Sequence, residues 1–202
     1  MINDGTQLKV KTAVLIPMGP ENRNGRFHSF AGKNWNEEHF AVVFGDLPSD
    51  SVPVIRIHSE CLTGDVFGSQ RCDCGPQLNE AVDIISREGG VLLYLRQEGR
   101  GIGLYSKFEA YRLQDMGFDT FEANTQLNLP EDDRDFSDAV KMLEALEITQ
   151  CRIITNNPDK VATLRKMGID VVEIIPTGVY ITEHNHSYLK SKADKKKHSI
   201  AL

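Results

Sequence analysis

Hydrophobic and polar positions change rhythm about a third of the way along the chain. Before residue 61 the apolar residues fall in short extended runs. Lys9 to Met18 carries Val10, Ala13, Leu15 and Ile16 in a β-favouring mixture, and His39 to Phe44 and Val52 to Ile57 predict two more strands across a turn at Gly45 to Asp50. Gly19 to Asn36 is polar, rich in Gly and Asn, and predicts a long connection that holds the single Trp, Trp35. Further on the period lengthens. Leu78, Ala81, Val82, Ile84 and Ile85 form a helical stripe over Gln77 to Glu88 that ends at Gly89-Gly90. Val91 to Leu95 then predicts a buried strand, followed by a glycine-rich turn and a helix from about Leu104 to Met116. Asp135 to Leu146, Pro158 to Met167 and Glu183 to Lys192 predict helices, and Arg152 to Thr155 and Val171 to Ile175 predict strands. The sum is an α+β fold: one compact domain over residues 1–202, β-rich at first and alternating later, with a tail from about residue 193.

Composition narrows the function classes. A chain of 202 residues buries a core without staples. Its formal net charge of -6 gives no bulk attraction for a nucleic acid polymer. Basic residues gather only at Arg23, Arg26 and Lys33 and in the tail from Lys190 to Lys197. No apolar run approaches the ~20 residues that span a bilayer, so no membrane partner is expected. The first residues, Met1 to Thr6, lack a basic-then-apolar signal design, which predicts a cytoplasmic location and reduced cysteines.

Those cysteines carry the strongest chemical signal. Cys61, Cys72 and Cys74 stand C-x10-C-x-C directly after Arg56-Ile-His-Ser-Glu60, and no second C-x-x-C knuckle follows. Three thiolates and an open fourth position suit a zinc ion that acidifies a water; a disulfide and thiols buried in a core are the other readings. The fourth cysteine, Cys151, precedes Arg-Ile-Ile-Thr and reads as a buried strand residue.

Four other stretches can carry chemistry. Arg96-Gln-Glu-Gly-Arg100-Gly-Ile-Gly103 lies between a strand and a helix, where backbone N–H groups and the helix dipole favour anions, although a plain chain reversal would use the same glycines. Glu131-Asp-Asp-Arg134-Asp135 opens a predicted helix. Capping by Asp135 or its neighbours explains the acids, but Arg134 at that end of the dipole implies a surface ion pair or an active-site pair. Thr155-Asn-Asn-Pro158 is ordinary turn chemistry, whereas Lys160 in a first helical turn suggests an anionic ligand. His58 and Glu60 sit beside the first cysteine, and Tyr111 lies on the helix after the glycines.

Together these ordered motifs resemble GTP cyclohydrolase II from about Ala41 to the tail. The resemblance implies a GTP cyclohydrolase II-like fold, a homodimer, and opening of the GTP imidazole ring. Formate and pyrophosphate would be released, leaving a diaminopyrimidine nucleotide for riboflavin synthesis. It implies zinc on Cys61, Cys72 and Cys74, and Mg2+ on the triphosphate. It implies GTP contacts from Arg56, Ile57, His58, Ser59, Glu60, Gln77, Glu98, Gly99, Arg100, Thr120, Thr155 and Lys160. Asp132 matches a proton acceptor, Tyr111 a residue of the hydrolytic chemistry, and Arg134 a proposed nucleophile. A guanidinium stays protonated and offers no lone pair, so a charge clamp is the physically cheaper role for Arg134. Two departures stand out: the long Gly19 to Glu38 segment, and Asn124-Thr-Gln126, where the family pattern has His in the middle. Some family chains are fused to a dihydroxybutanone-phosphate synthase domain; these 202 residues are expected to supply one activity only. The rival readings are a sister enzyme that keeps the formyl group or only releases pyrophosphate, and a non-catalytic zinc module that binds nucleotides.

Overall fold

A computed structural model of the chain describes residues 7–19, 23–32, 35, 38–47, 51–130 and 132–185. Its seven strands are β1 (Lys9–Met18), β2 (Arg23–Ala31), β3 (Phe40–Phe44), β4 (Val54–Ser59), β5 (Gly90–Leu95), β6 (Gln150–Ile154) and β7 (Asp170–Ile175). The helices are α1 (Leu62–Asp65), α2 (Cys74–Glu88), α3 (Leu104–Asp115), α4 (Thr120–Gln126), α5 (Ser137–Ala145) and α6 (Pro158–Lys166), with a 3-10 turn at Glu98–Gly101. All seven strands join one mixed sheet in the order β1-β2-β3-β5-β4-β6-β7. Pairing is antiparallel from β1 through β2 and β3 to β5, and parallel from β4 through β6 to β7. The expected α+β class is the one observed.

Contacts divide the chain into two compact units. The first holds the described residues up to His58 with Glu80–Arg96 and Phe136–Thr177; the second holds Ser59–Asn79, Gln97–Asp135 and the described residues from Gly178. The first unit contains the sheet and its core. Ile55 and Ile57 of β4, Val91, Leu93 and Leu95 of β5 and Ile153 of β6 are fully or almost fully buried with Ala139, Val140, Met142 and Leu143 of α5. Each large aliphatic side chain so buried contributes roughly 1.5–3 kcal/mol relative to an exposed one. Cys151 of β6 lies inside this core, where burial, reinforced by Asp170, pushes its thiol up to about 12. It is a small apolar filler, as its surroundings in sequence suggest.

Three sequence expectations need correction. The Gly19 to Asn36 connection contains β2, a nine-residue strand. Its polar residues hide it from any hydrophobic pattern; the ladders with β1 and β3 on either side make it a strand. Gly25 belongs there because a Cβ would stand 2.6 Å from a Val42 methyl. Second, α5 begins at Ser137 with Phe136 at its N-cap, two residues later than the expected start at Asp135. Third, 183–185 form a turn, and the rest of the expected helix to Lys192, like the basic tail and Glu131, lies outside the described residues.

One close approach fixes β5 against β4. A Cβ on Gly90 would sit 2.0 Å from the Val54 carbonyl oxygen, a backbone atom held in the sheet. Gly90→Ala should therefore destabilise the protein by about 3 kcal/mol, read as a lower urea midpoint at unchanged slope.

Candidate functional site

In the second unit the three sequence-adjacent cysteines come together. After Ser59 the chain turns through Glu60 and Cys61 into the single turn of α1, fixed where Cys61 N donates to Asp65 Oδ2 (3.0 Å) and Asp65 N to the Cys61 carbonyl (2.7 Å). Cys74 opens α2. Two glycines make the room. A Cβ on Gly64 would lie 2.9 Å from Cys72 Sγ and 3.1 Å from Cys61 Sγ, and one on Gly75 would lie 2.4 Å from the Gly64 carbonyl oxygen. The three sulfurs lie within 4.8 Å of one another, with Cys61 and Cys72 3.6 Å apart, and all are free thiols. A disulfide needs about 2.04 Å. Ligands on a tetrahedral zinc, at about 2.3 Å from the metal, stand about 3.8 Å apart. The donor set, its spacing and its burial fit a metal ion.

Hydrogen bonding among the thiols is unequal. Cys61 is driven strongly toward the thiolate, first by the Cys72 thiol and then by Cys74, with the Lys107 ammonium adding to both against the opposing effect of burial. Cys72 is pushed up to about 11, chiefly because it donates to Cys61, and Cys74 rises for the same reason. Lys107 of α3 had no place in the sequence reading. It is buried, and its Nζ donates to Cys61 Sγ (3.2 Å), Thr63 Oγ1 (3.0 Å) and Glu98 Oε1 (2.8 Å). Burial pulls its pKa down, but the Cys61 thiolate and Glu98 outweigh that and keep it charged. Tyr111, one turn further along α3, lies beside it. The Arg71 guanidinium is 4.8 Å from its ring centroid and Lys107 Nζ 5.7 Å. Burial pushes the Tyr111 phenol up to about 12, so it stays protonated at neutral pH.

The glycine turn and the acidic stretch also meet. Gly99, Arg100 and Gly101 all have positive φ (63°, 62° and 93°), which a non-glycine residue such as Arg100 seldom adopts. Asp133 N donates to the Arg100 carbonyl (2.9 Å), and a Cβ on Gly101 would stand 3.0 Å from the Asp133 backbone. Beside that contact Arg134 grips Asp132 with a two-point fork, Nε to Oδ1 at 2.8 Å and Nη2 to Oδ2 at 2.7 Å. Each side chain is only about one-sixth exposed (16% and 14%), so this is not an open surface pair. The Glu98 carboxylate accepts from Gly99 N (2.7 Å), Lys107 and Leu62 N (2.6 Å). Gln77 donates to Asp73 Oδ2 (2.7 Å) and the Gly178 carbonyl (3.2 Å). Ser59 Oγ is buried with no hydrogen-bond partner among the described residues. Glu60 is half-buried. Thr120 opens α4, but its side chain lies outside the described part of the structure. Asn124 donates to the Pro130 carbonyl (3.0 Å), while Thr125, at the departure from the family pattern, is exposed.

The remaining expected residues belong to the first unit. Arg56 is buried and its Nη1 donates to the Ile154 carbonyl (3.0 Å); Ile57 is core; the His58 ring stacks on Tyr94 at 5.5 Å. Asn157 caps α6 by accepting from Asp159 N (2.9 Å), and Thr155 Oγ1 accepts from Asn157 N (3.0 Å). Asn156 and Thr177 exchange two bonds. Lys160, which the sequence marked for an anion, is buried, donates to the Ile57 carbonyl (2.8 Å) and lies 5.3 Å from the Phe136 ring centroid.

Comparison with known proteins decides the family. The sequence profile of GTP cyclohydrolase II matches residues 16–176. The chain belongs to the GTP cyclohydrolase II family. It is an enzyme of that family, a hydrolase. It is similar to the protein named GTP cyclohydrolase-2 of Psychromonas ingrahamii, 50% identical over 194 residues, covering 95% of this chain and 97% of the relative. The GTP cyclohydrolase-2 of Vibrio vulnificus is 51% identical over 196 residues, covering 96% and 99%. A longer Bacillus cereus protein named Riboflavin biosynthesis protein RibBA is 50% identical over 181 residues, which cover 88% of this chain and 46% of that one.

Within this member of the family, Gly64 and Lys107 are the residues that sequence reasoning missed around the cysteines. Gly64 lies in the quoted Cys61-to-Asp65 stretch and could have been suspected; nothing in the sequence distinguishes Lys107 from a solvated lysine. Gly64→Ala should drive a methyl against two sulfurs and weaken metal uptake roughly tenfold or more while far-UV circular dichroism stays unchanged. Chelator competition on the purified variant measures this.

Proposed function

We propose that this chain hydrolyses GTP, opening its imidazole ring to give 2,5-diamino-6-(5-phosphoribosylamino)pyrimidin-4-one with release of formate and pyrophosphate, at the entry to riboflavin biosynthesis. The observation that carries the reading is three free thiols within 4.8 Å, in a chain of this family. Cys61, Cys72 and Cys74 would hold one zinc ion, which supplies an acidified water for attack on C8 of the guanine. Mg2+ would accompany the triphosphate and neutralise the leaving pyrophosphate.

Residue roles follow from their chemistry. GTP contacts are assigned in the first unit to Arg56, Ile57, His58, Thr155 and Lys160, and in the second to Ser59, Glu60, Gln77, Glu98, Gly99, Arg100 and Thr120. The partnerless Ser59 Oγ supports this, since a buried hydroxyl lacking a partner among the described residues favours a ligand that supplies one. The neutral Tyr111 phenol is suited to donating or relaying a proton beside the cysteines. Asp132 is assigned proton transfer. Arg134 acts as a charge clamp on the phosphoryl group, because a guanidinium stays protonated and has no lone pair for attack, and the Asp132 fork orients it.

Two wider readings belong with this one. A cytoplasmic location suits four free cysteines. A homodimer suits β1, an edge strand exposed along almost its whole length with Val14 at 51% and Leu15 at 52% exposure. Leu15→Glu should then shift the protein to monomer in light scattering coupled to size exclusion.

The deciding experiment incubates the purified protein with GTP, zinc and magnesium and identifies products by mass spectrometry. A diaminopyrimidine nucleotide with stoichiometric formate and pyrophosphate is expected, and Cys61→Ser should abolish formate release. A formylated product would instead favour the early-stopping sister enzyme, and intact GTP from zinc-loaded protein a nucleotide-binding module. Arg134→Met should lower kcat about 100–1000-fold, with Arg134→Lys retaining more. Equal loss in both variants would count against the clamp.

A further inference from the structure

We infer that Lys107 is a positioning residue for the metal centre: its ammonium donates to Cys61 Sγ, fixes that sulfur in place and offsets the charge that three thiolates bring to a divalent ion. This rests on the zinc reading above.

The geometry makes other roles poor fits. An ammonium has three N–H bonds, and the three acceptors around this one, Cys61 Sγ, Thr63 Oγ1 and Glu98 Oε1, lie at 3.2, 3.0 and 2.8 Å. No donor is left for a phosphate or a base. The side chain is about nine-tenths buried, so it is not a solvated helix lysine either. A divalent ion on three thiolates carries one net negative charge, which blunts its power to acidify water. A charged N–H donor on one sulfur draws electron density off that ligand and restores some of it. Glu98 keeps the donor in place. Its Oε1 also accepts from Gly99 N and its Oε2 from Leu62 N, so the carboxylate ties Lys107 to the start of α1, next to Cys61. Thr63 serves both sides, accepting from Lys107 and lying 3.7 Å from Cys61 Sγ.

The competing role is structural: Lys107 would exist only to neutralise buried Glu98. Removing Lys107 alone would then strand a carboxylate and damage the fold. The test therefore compares wild type, Lys107→Met, Lys107→Arg and the double variant Lys107→Met with Glu98→Gln, which removes both charges. Two quantities are read: zinc affinity by competition with a chromogenic chelator, and the near-ultraviolet thiolate-to-metal charge-transfer band of the cobalt-loaded protein. The inference expects zinc binding about 10–100-fold weaker in Lys107→Met and in the double variant. It also expects the band to move to longer wavelength in both, and Lys107→Arg to fall between them and wild type. A double variant that is folded and shows wild-type affinity and band position would overturn it, whatever the single Met variant does. A wild-type protein that takes up neither metal would instead overturn the zinc reading, and this inference with it.

Discussion

Crowding three sulfurs into a dry space is the constraint from which the second unit's architecture follows. Two thiolates at 3.6 Å in low dielectric repel strongly, and a bare thiolate there lacks the water that would solvate it. Hydrogen bonding pushes the three unequally: Cys61 is driven toward the thiolate, and Cys72, donating to it, is pushed the other way. The Lys107 ammonium completes that arrangement and, once buried, needs a carboxylate of its own. Glu98 supplies it, and its remaining lone pairs fasten Leu62 N and Gly99 N. One electrostatic requirement thus ties together the cysteine loop, the glycine turn and α3. A buried ion pair of this kind is weak support for stability by itself, because desolvation offsets much of the attraction. Its worth lies in fixing where the sulfurs stand.

What the sequence disclosed followed the same physics. Cysteines are few and their ligand chemistry is narrow, so C-x10-C-x-C could be read as a cluster before any fold was known. The β5 run and the α2 stripe were legible because burial selects apolar residues at a fixed period. β2 was not, since Arg23, Asn24, Arg26, His28 and Ser29 carry no such period, and the neighbouring strands supply the hydrogen bonds that keep it extended. Lysines gave the least information. Lys107 reads as a solvated helix residue until its three acceptors are seen, and nothing in the sequence shows that the Lys160 ammonium donates to the carbonyl of Ile57, 103 residues away in sequence. A long flexible side chain leaves no periodic trace of what its tip touches.

The Asp132–Arg134 pair illustrates why a motif underdetermines a role. Capping accounted for the acids in the sequence, yet α5 starts only at Ser137, and both Asp132 oxygens face the Arg134 guanidinium. Such a fork orients both groups and makes each less free to react. An arginine so held is a rigid point of positive charge, suited to steadying phosphate oxygens and unsuited to giving up a proton and attacking. The proton transfer proposed for Asp132 would require the fork to loosen first. The pair sits where Asp133 N bonds the carbonyl of Arg100, itself in a left-handed conformation between two glycines. Strain of that kind persists only where neighbouring structure enforces it. Here the enforcing structure is the segment that carries Asp132 and Arg134, so the turn and the pair depend on each other for their geometry.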